Sequence, residues 1–255
     1  MEECGLLAAA LLSHANMLTE PDINLIKQRK AHISSTPSIE LQMGMGTPAC
    51  FDPDRDLQSC ASIGIDCHNA TLASIPAEMR AALQHSRGIF NDRILKHGKK
   101  PARVYKTVEE AYALGTMAGA RAIGMEHELG SITVGKLADI IVFDALTPNM
   151  LCGAQYDPIT AIVLHSTPAD IVMTIVDGVI RKRDSQLEPV QIIDTTYASA
   201  DLGSRQNLKW SEIAERVLET RETLQSKIEK VNLKAAKPAV LKAFGYDQER
   251  IVEKI

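Results

Sequence analysis

The stretch Gly130–Asp144, GSITVGKLADIIVFD, decides how the rest of the chain is read. Gly130 and Gly135 bracket a short turn region, and Ile140, Ile141, Val142 and Phe143 form a compact apolar run of strand length. Asp139 stands just before that run, where a carboxylate can cap neighbouring backbone amides. Upstream, Thr107 and Glu110 have the spacing of a capping box, which opens a helix over Val108 to about Arg121. Ala111, Leu114, Ala118 and Ala122 line its apolar face, and Gly124 lies where a helix stops. Helix, glycine stop, turn and buried strand follow in close succession. Periodicity alone also fits an ordinary strand after an ordinary helix.

Outward from this stretch, bulk properties narrow the class. At 255 residues the chain suffices for one large domain or one and a half. Hydrophobic residues make up 45% and aromatic residues only 4%, so the core is expected to be aliphatic and globular. A net charge of −4 leaves no basic footprint for nucleic acid or an acidic membrane. Cys4, Cys50, Cys60, Cys67 and Cys152 are odd in number and show no CxxC spacing, which points to reduced thiols in a cytoplasmic protein. The apolar run Leu6–Leu12 follows the acidic pair Glu2 and Glu3. It lacks a basic flank and is too short to span a bilayer.

Along the chain, short apolar strands alternate with helices. A helix end passes through Gly5 into a strand that finishes at Ser13-His14-Ala15. Thr19 caps a helix with Pro21 and Asp22 in its first turn, carrying Ile23 and Ile26 inward. A second strand, Ala31–Ser35, stops at Thr36-Pro37, and Met43–Pro48 (MGMGTP) makes a glycine-rich loop. Ala61–Asp66 reads as a third buried strand and Pro76–Gln84 as a third helix. Such alternation argues for parallel βα units. Ile159–His165 is a further apolar segment, and in Asp170–Lys182 the dipeptide Asp177-Gly178 lies between β-branched residues, a two-residue hairpin signal. Residues 208–231 make an amphipathic helix with Trp210, Ile213, Val217, Leu224, Ile228 and Val231 on one face, expected to dock on the chain's own body rather than form a coiled coil. Residues 232–255 show no clear apolar stripe.

Two strand ends carry chemistry. Asp66 closes the buried strand SIGID and is followed by Cys67, His68 and Asn69. A carboxylate at the C-terminal mouth of a barrel strand can ligate a divalent metal or accept a proton from water, or it can cap the following turn. His14 closes the first strand in the same manner. It can hydrogen-bond a substrate carbonyl or the attacking water, or serve as a structural hydrogen-bonding residue.

These residues lie in segments that resemble the metal-dependent amidohydrolases, in particular the cytosine-deaminase-like and triazine-hydrolase-like subgroup. LLSHANMLT is similar to the sixth barrel strand, whose histidine is an active-site residue. ISSTPSIELQMGMGTP resembles the seventh strand and its loop, with Glu40–Gly44 the closest part. SIGIDCHNATLASIPAEMRAALQHSR resembles strand eight, with Asp66 at the metal-site aspartate. GK-x-AD followed by IIVF, and the segment from Tyr156 to Asp184, resemble the accessory β-sandwich. The similarity covers roughly residues 1–225. It implies an α/β fold: the C-terminal part of a TIM-like (β/α)8 barrel over 1–125, part of the β-sandwich over 126–200, and a helical tail over 201–255. It also implies hydrolysis of a non-peptide C–N bond in a small heterocyclic amine or amide, with zinc or iron as cofactor. His14 and Asp66 are then the catalytic pair and Asp66 a metal ligand, with Glu40, Met45, Thr47 and His68 as substrate contacts.

The sequence departs from that family in two respects. Met45 and Thr47 stand in the glycine-rich loop where the subgroup usually or often carries histidines. The family's His-x-His pair of strand one, and the histidine and acid of strand five, have no counterparts among His14, His32, His68, His85, His97, His127 and His165. The expectation is therefore a C-terminal half whose remaining ligands come from a missing N-terminal half or from a homo-oligomer, and which retains no metal alone. The alternative is a non-catalytic half-barrel interaction or regulatory protein.

Overall fold

Three short strands, β1 (Leu11–Ser13), β2 (His32–Ser35) and β3 (Ala61–Ile63), form a parallel sheet in chain order in a computed structural model that describes residues 10–192, 206–243 and 245. The expected beginning of the first strand before residue 10, Cys4, and most of the tail beyond 243 lie outside the described residues. The register pairs Leu12 with Ile33 and Ser34 with Ser62, so the C-terminal ends of all three strands fall on one side. β3 ends earlier than the sequence suggests, although the Gly64 amide still donates to the Ser35 carbonyl at 2.8 Å. A Cβ on Gly64 would lie 2.6 Å from Ser34 Oγ, so a larger residue here would force the Ser34 side chain to move.

Helices cross between the strands. α1 (Glu20–Arg29) starts at Thr19 with a complete capping box to Asp22, and Ile23 and Ile26 are buried as the sequence predicts. They pack with Ala31, Ile33, Ala49 and Leu57. α2 (Pro37–Gln42) is a single short turn of helix after β2. α3 (Ile75–Leu95) is far longer than the expected Pro76–Gln84: it continues through Gly88, and Ser74 Oγ accepts the Ala77 amide at its start. α4 (Val108–Leu114) and α5 (Met117–Ala122) replace the single helix expected to Arg121. The break falls at Gly115, where a Cβ would collide with the Met79 side chain and stand 2.7 Å from Ile75 Cγ2. Met79, Leu83, Ala111, Leu114, Ala61 and Ile63 fill the core beneath. Each such side chain of Leu or Ile size contributes roughly 1.5–3 kcal/mol by leaving water.

Beyond the helices, β4 (Ile140–Phe143) leads into a second sheet. The intervening chain forms α6 (Gly153–Tyr156) and α7 (Pro158–Thr160), which runs into a π-helical turn over Ala161–His165. β5 (Ile171–Val176), β6 (Val179–Arg183) and β7 (Gln186–Leu187) complete the order β4-β5-β6-β7, with β5 antiparallel to both β4 and β6. The Asp177-Gly178 turn joins β5 to β6 as predicted, both residues having positive φ (50° and 74°). Asp139 does cap a backbone amide, but a distant one: its Oδ1 accepts from Asp177 N at 2.7 Å. The strand expected to be buried is an edge strand instead, with Ile141 and Val142 exposed.

The chain divides into two compact units, Met1–Gln186 and Leu187–Ile255. In the second, β8 (Val190–Ile192) and β9 (Gln206–Leu208) pair antiparallel, followed by α8 (Trp210–Ile228) and α9 (Leu233–Ala243). Trp210, Val217 and Leu224, expected to be buried by docking, are exposed (56%, 57% and 52%). Among the described residues, no helix is long and apolar enough to cross a membrane.

Candidate active site

The C-terminal ends of β1 and β3 bring His14 and Asp66 together. His14 Nε2 lies 3.8 Å from Asp66 Oδ2, with the two side chains 25% and 38% exposed. Parallel pairing through β2 causes this, because each residue follows its strand on the same edge of the sheet. Backbone strain gathers at the same place. His14, Ala15 and Asp66 have φ of 67°, 59° and 62°, a left-handed conformation that costs non-glycine residues roughly 1–3 kcal/mol each and is concentrated at functional sites.

Behind His14 lies a buried polar network. Thr36 Oγ1, at the end of β2, is 2.9 Å from His14 Nδ1. The Thr36 amide donates to Glu40 Oε1 at 2.8 Å, and the same carboxylate oxygen lies 3.6 Å from His14 Nδ1. Glu40 is fully buried, and its other oxygen, Oε2, has no hydrogen-bond partner. Burial pushes its carboxyl above the ordinary glutamate range, opposed by the Thr36 amide, the Asn16 side chain and His14. Asn16, also buried, donates from Nδ2 to the Thr47 carbonyl at 3.0 Å, tying the glycine-rich loop to the segment after His14. The Met45 amide donates to the Glu40 carbonyl at 2.9 Å. Below the loop, Cys50 donates its amide to Ser35 Oγ, and burial pushes the Cys50 thiol up to about 12.

The structure thus gathers His14, Asp66 and Glu40, and places Met45 and Thr47, both half-buried, in the loop joined to them. His68 is exposed in the turn after Asp66. Glu40 lies behind His14, with no surface left to meet a ligand. Thr36 and Asn16 were absent from the sequence-derived set. Each carries a signal in the sequence: Thr36 precedes a proline at a strand end, and Asn16 is a polar residue two positions after His14.

A divalent metal is implied by the family resemblance. Among the described residues, no group of three or more His, Cys, Asp or Glu side chains is placed to hold a metal ion. A catalytic zinc takes about three protein ligands and leaves one position open. Asp66 and His14 are two groups at most, so these residues alone do not fit a resident metal.

Comparison with known proteins bears on the family and the fold. The amidohydrolase family model matches residues 2–181. A 5'-deoxyadenosine deaminase of Methanobrevibacter smithii is 29% identical over 180 residues, covering 69% of this chain and 38% of that protein. Among solved structures, an adenosine deaminase from Xanthomonas campestris with bound zinc superposes with a TM-score of 0.68 at 18% identity, over 88% of this chain and 45% of that one. A triazine hydrolase from Arthrobacter aurescens gives 0.57 at 17% identity, over 70% of this chain and 38% of that one. The chain therefore spans less than half the length of these relatives. With a family match over most of its length and the parallel βα units of such a barrel, this chain belongs to the amidohydrolase family.

Proposed function

We propose that this chain supplies part of the active site of a deaminase-like hydrolase acting on a C–N bond of a small heterocyclic amine. The observation that carries the reading is the 3.8 Å approach of His14 Nε2 to Asp66 Oδ2 at the strand ends of an amidohydrolase-family segment. The named deaminases among the relatives favour an exocyclic amine on a nucleoside-type ring as substrate. Residues 1–125 then form the barrel part, 126–200 the sandwich part and 201–255 a helical tail of a cytoplasmic enzyme.

Each residue has a distinct task in this reading. The Asp66 carboxylate, partly exposed, accepts a proton as water adds to the ring carbon and returns it to the departing amine. His14 Nε2 hydrogen-bonds the attacking water or the substrate, and its ring is held from behind by Thr36. Met45 and Thr47 line the substrate side from the tethered loop, and His68 stands at the rim. Asp66 is this chain's contribution to the ligand set of a zinc or iron ion. The other ligands come from an N-terminal half or from a partner copy.

The test is ammonia release from a panel of heterocyclic amines, 5'-deoxyadenosine first, by the chain together with a polypeptide supplying the other barrel strands. Activity that falls by at least about 10³-fold in Asp66→Asn, and by about 10²-fold or more in His14→Gln, supports the reading. Turnover that survives Asp66→Asn overturns it.

A further inference from the structure

We infer that the loop between α3 and α4, with Lys99, Lys100 and Arg103 at its centre, is a docking segment for a carboxylate-rich stretch of another protein. The inference is independent of the deaminase reading, because it uses no residue of the His14–Asp66 site.

The stretch from Arg93 to Lys106 holds six Lys or Arg residues and no Asp or Glu. Structure accounts for the outer ones. Arg93 and Lys96 stand at the C-terminal end of α3, where cations face the negative end of the helix dipole. Each is also paired, Arg93 with both oxygens of Asp54 at 2.7 Å and Lys96 with Asp92 at 2.7 Å. Lys106 donates to Gln58 and Glu110. Lys99, Lys100 and Arg103 lie beyond the helix and are exposed, and among the described residues their side chains have no hydrogen-bond or ion-pair partner.

This loop is fixed at both ends and free between them. The Gly98 and Lys99 amides donate to the Leu95 and Ile94 carbonyls at 2.9 and 3.3 Å. Arg87 donates to the Tyr105 and Lys106 carbonyls at 3.0 and 2.9 Å, and the Tyr105 ring stacks on Phe90 with centroids 4.3 Å apart. Between these anchors, the amides of Lys100, Ala102, Arg103 and Val104 donate to no group among the described residues. Unbalanced cations beside free amides fit an extended peptide whose carboxylates meet the cations and whose carbonyls take the amides. Anchored ends lower the cost of ordering the loop on binding. Nucleic acid and bilayers fit less well: they call for a broad electropositive face or a larger cationic cluster, and the chain carries a net charge of −4.

The test is fluorescence anisotropy of a labelled oligoglutamate peptide titrated with the full chain at about 50 mM salt, where surface charges are weakly screened. Saturable binding is expected, weakened about tenfold or more in Lys99→Gln/Lys100→Gln/Arg103→Gln. Lys227→Gln/Lys230→Gln/Lys234→Gln removes the same charge elsewhere and is expected to bind like the wild type. Circular dichroism checks that both variants fold, and Lys100→Gln/Arg103→Gln, expected to weaken binding in the same direction, serves if the first does not. Absence of saturable binding overturns the inference, as does an equal loss in the loop variant and the control. Tighter binding to a single-stranded oligonucleotide, or to vesicles of equal parts phosphatidylcholine and phosphatidylserine, also overturns it.

Discussion

Glu40 has the most unusual environment of any carboxylate in the site: zero exposure, one oxygen on the Thr36 amide and the other unpartnered. Burial raises its pKa in the folded chain, so folding favours the protonated form. By linkage, its contribution to stability is complete below the unfolded glutamate value, about 4.5, and is lost as pH rises through the folded value. Denaturant midpoints measured from about pH 4 to about pH 8 are expected to carry this loss in the wild type and to show a shallower fall in Glu40→Gln. At this scale the sequence was partly legible. His14 and Asp66 could be picked out because each ends an apolar run. The role of Glu40 could not, because it depends on a turn of α2 folding the carboxylate back onto Thr36, behind a strand to which it has no periodic relation.

Among the elements, Asp170 pins the connection into β5. Its Oδ1 accepts from Thr147 Oγ1 at 2.5 Å, and its Oδ2 accepts from the Thr167 amide at 2.7 Å and hydroxyl at 2.8 Å. Burial pushes this carboxyl up, but the bonds from Thr147, Thr167 and Asn149 outweigh it and leave it below the ordinary aspartate range. The sign is opposite to that of Glu40: the stabilisation is present above about pH 3.8 and is lost as pH falls through the folded value. Asp170→Asn is expected to lower the melting temperature at neutral pH, with a cost of about 1.5–3 kcal/mol, and to flatten the acid limb of the stability profile.

Gly115 decides a different junction. Gly115→Ala must push the buried Met79 and the half-buried Ile75 aside, and urea unfolding is expected to show a loss of about 1–3 kcal/mol. Unchanged stability would mean that α4 and α5 are not packed this closely on α3. Local devices at this scale were readable: the Thr19 and Thr107 capping boxes and the Asp177-Gly178 turn are set by side chains a few residues apart. The break between α4 and α5 was not, since the close packing of Gly115 on Met79 and Ile75 of α3 is a tertiary contact. The exposure of Ile141 and Val142 follows from the edge position of β4, a property of sheet order that an apolar run does not report.

For the molecule as a whole, strand alternation and family resemblance together gave the βα architecture, and the parallel three-stranded sheet agrees with it. The amphipathic stripe of α8 was readable as a helix but not as exposed: periodicity gives the face, and only tertiary structure tells what covers it. The site is partial in the same sense. Asp66 and His14 meet, yet no third ligand joins them among the described residues. Without a metal, water stays almost wholly un-ionised at neutral pH, and general acid–base help alone is worth roughly two to four powers of ten, below the roughly 10⁶-fold typical of enzymes. Elemental analysis of the purified chain, paired with an ammonia-release assay, tests this most directly. The account predicts far less than one metal ion per chain and no enzyme-like turnover. About one metal ion per chain, lost together with activity on Asp66→Ala, would contradict it.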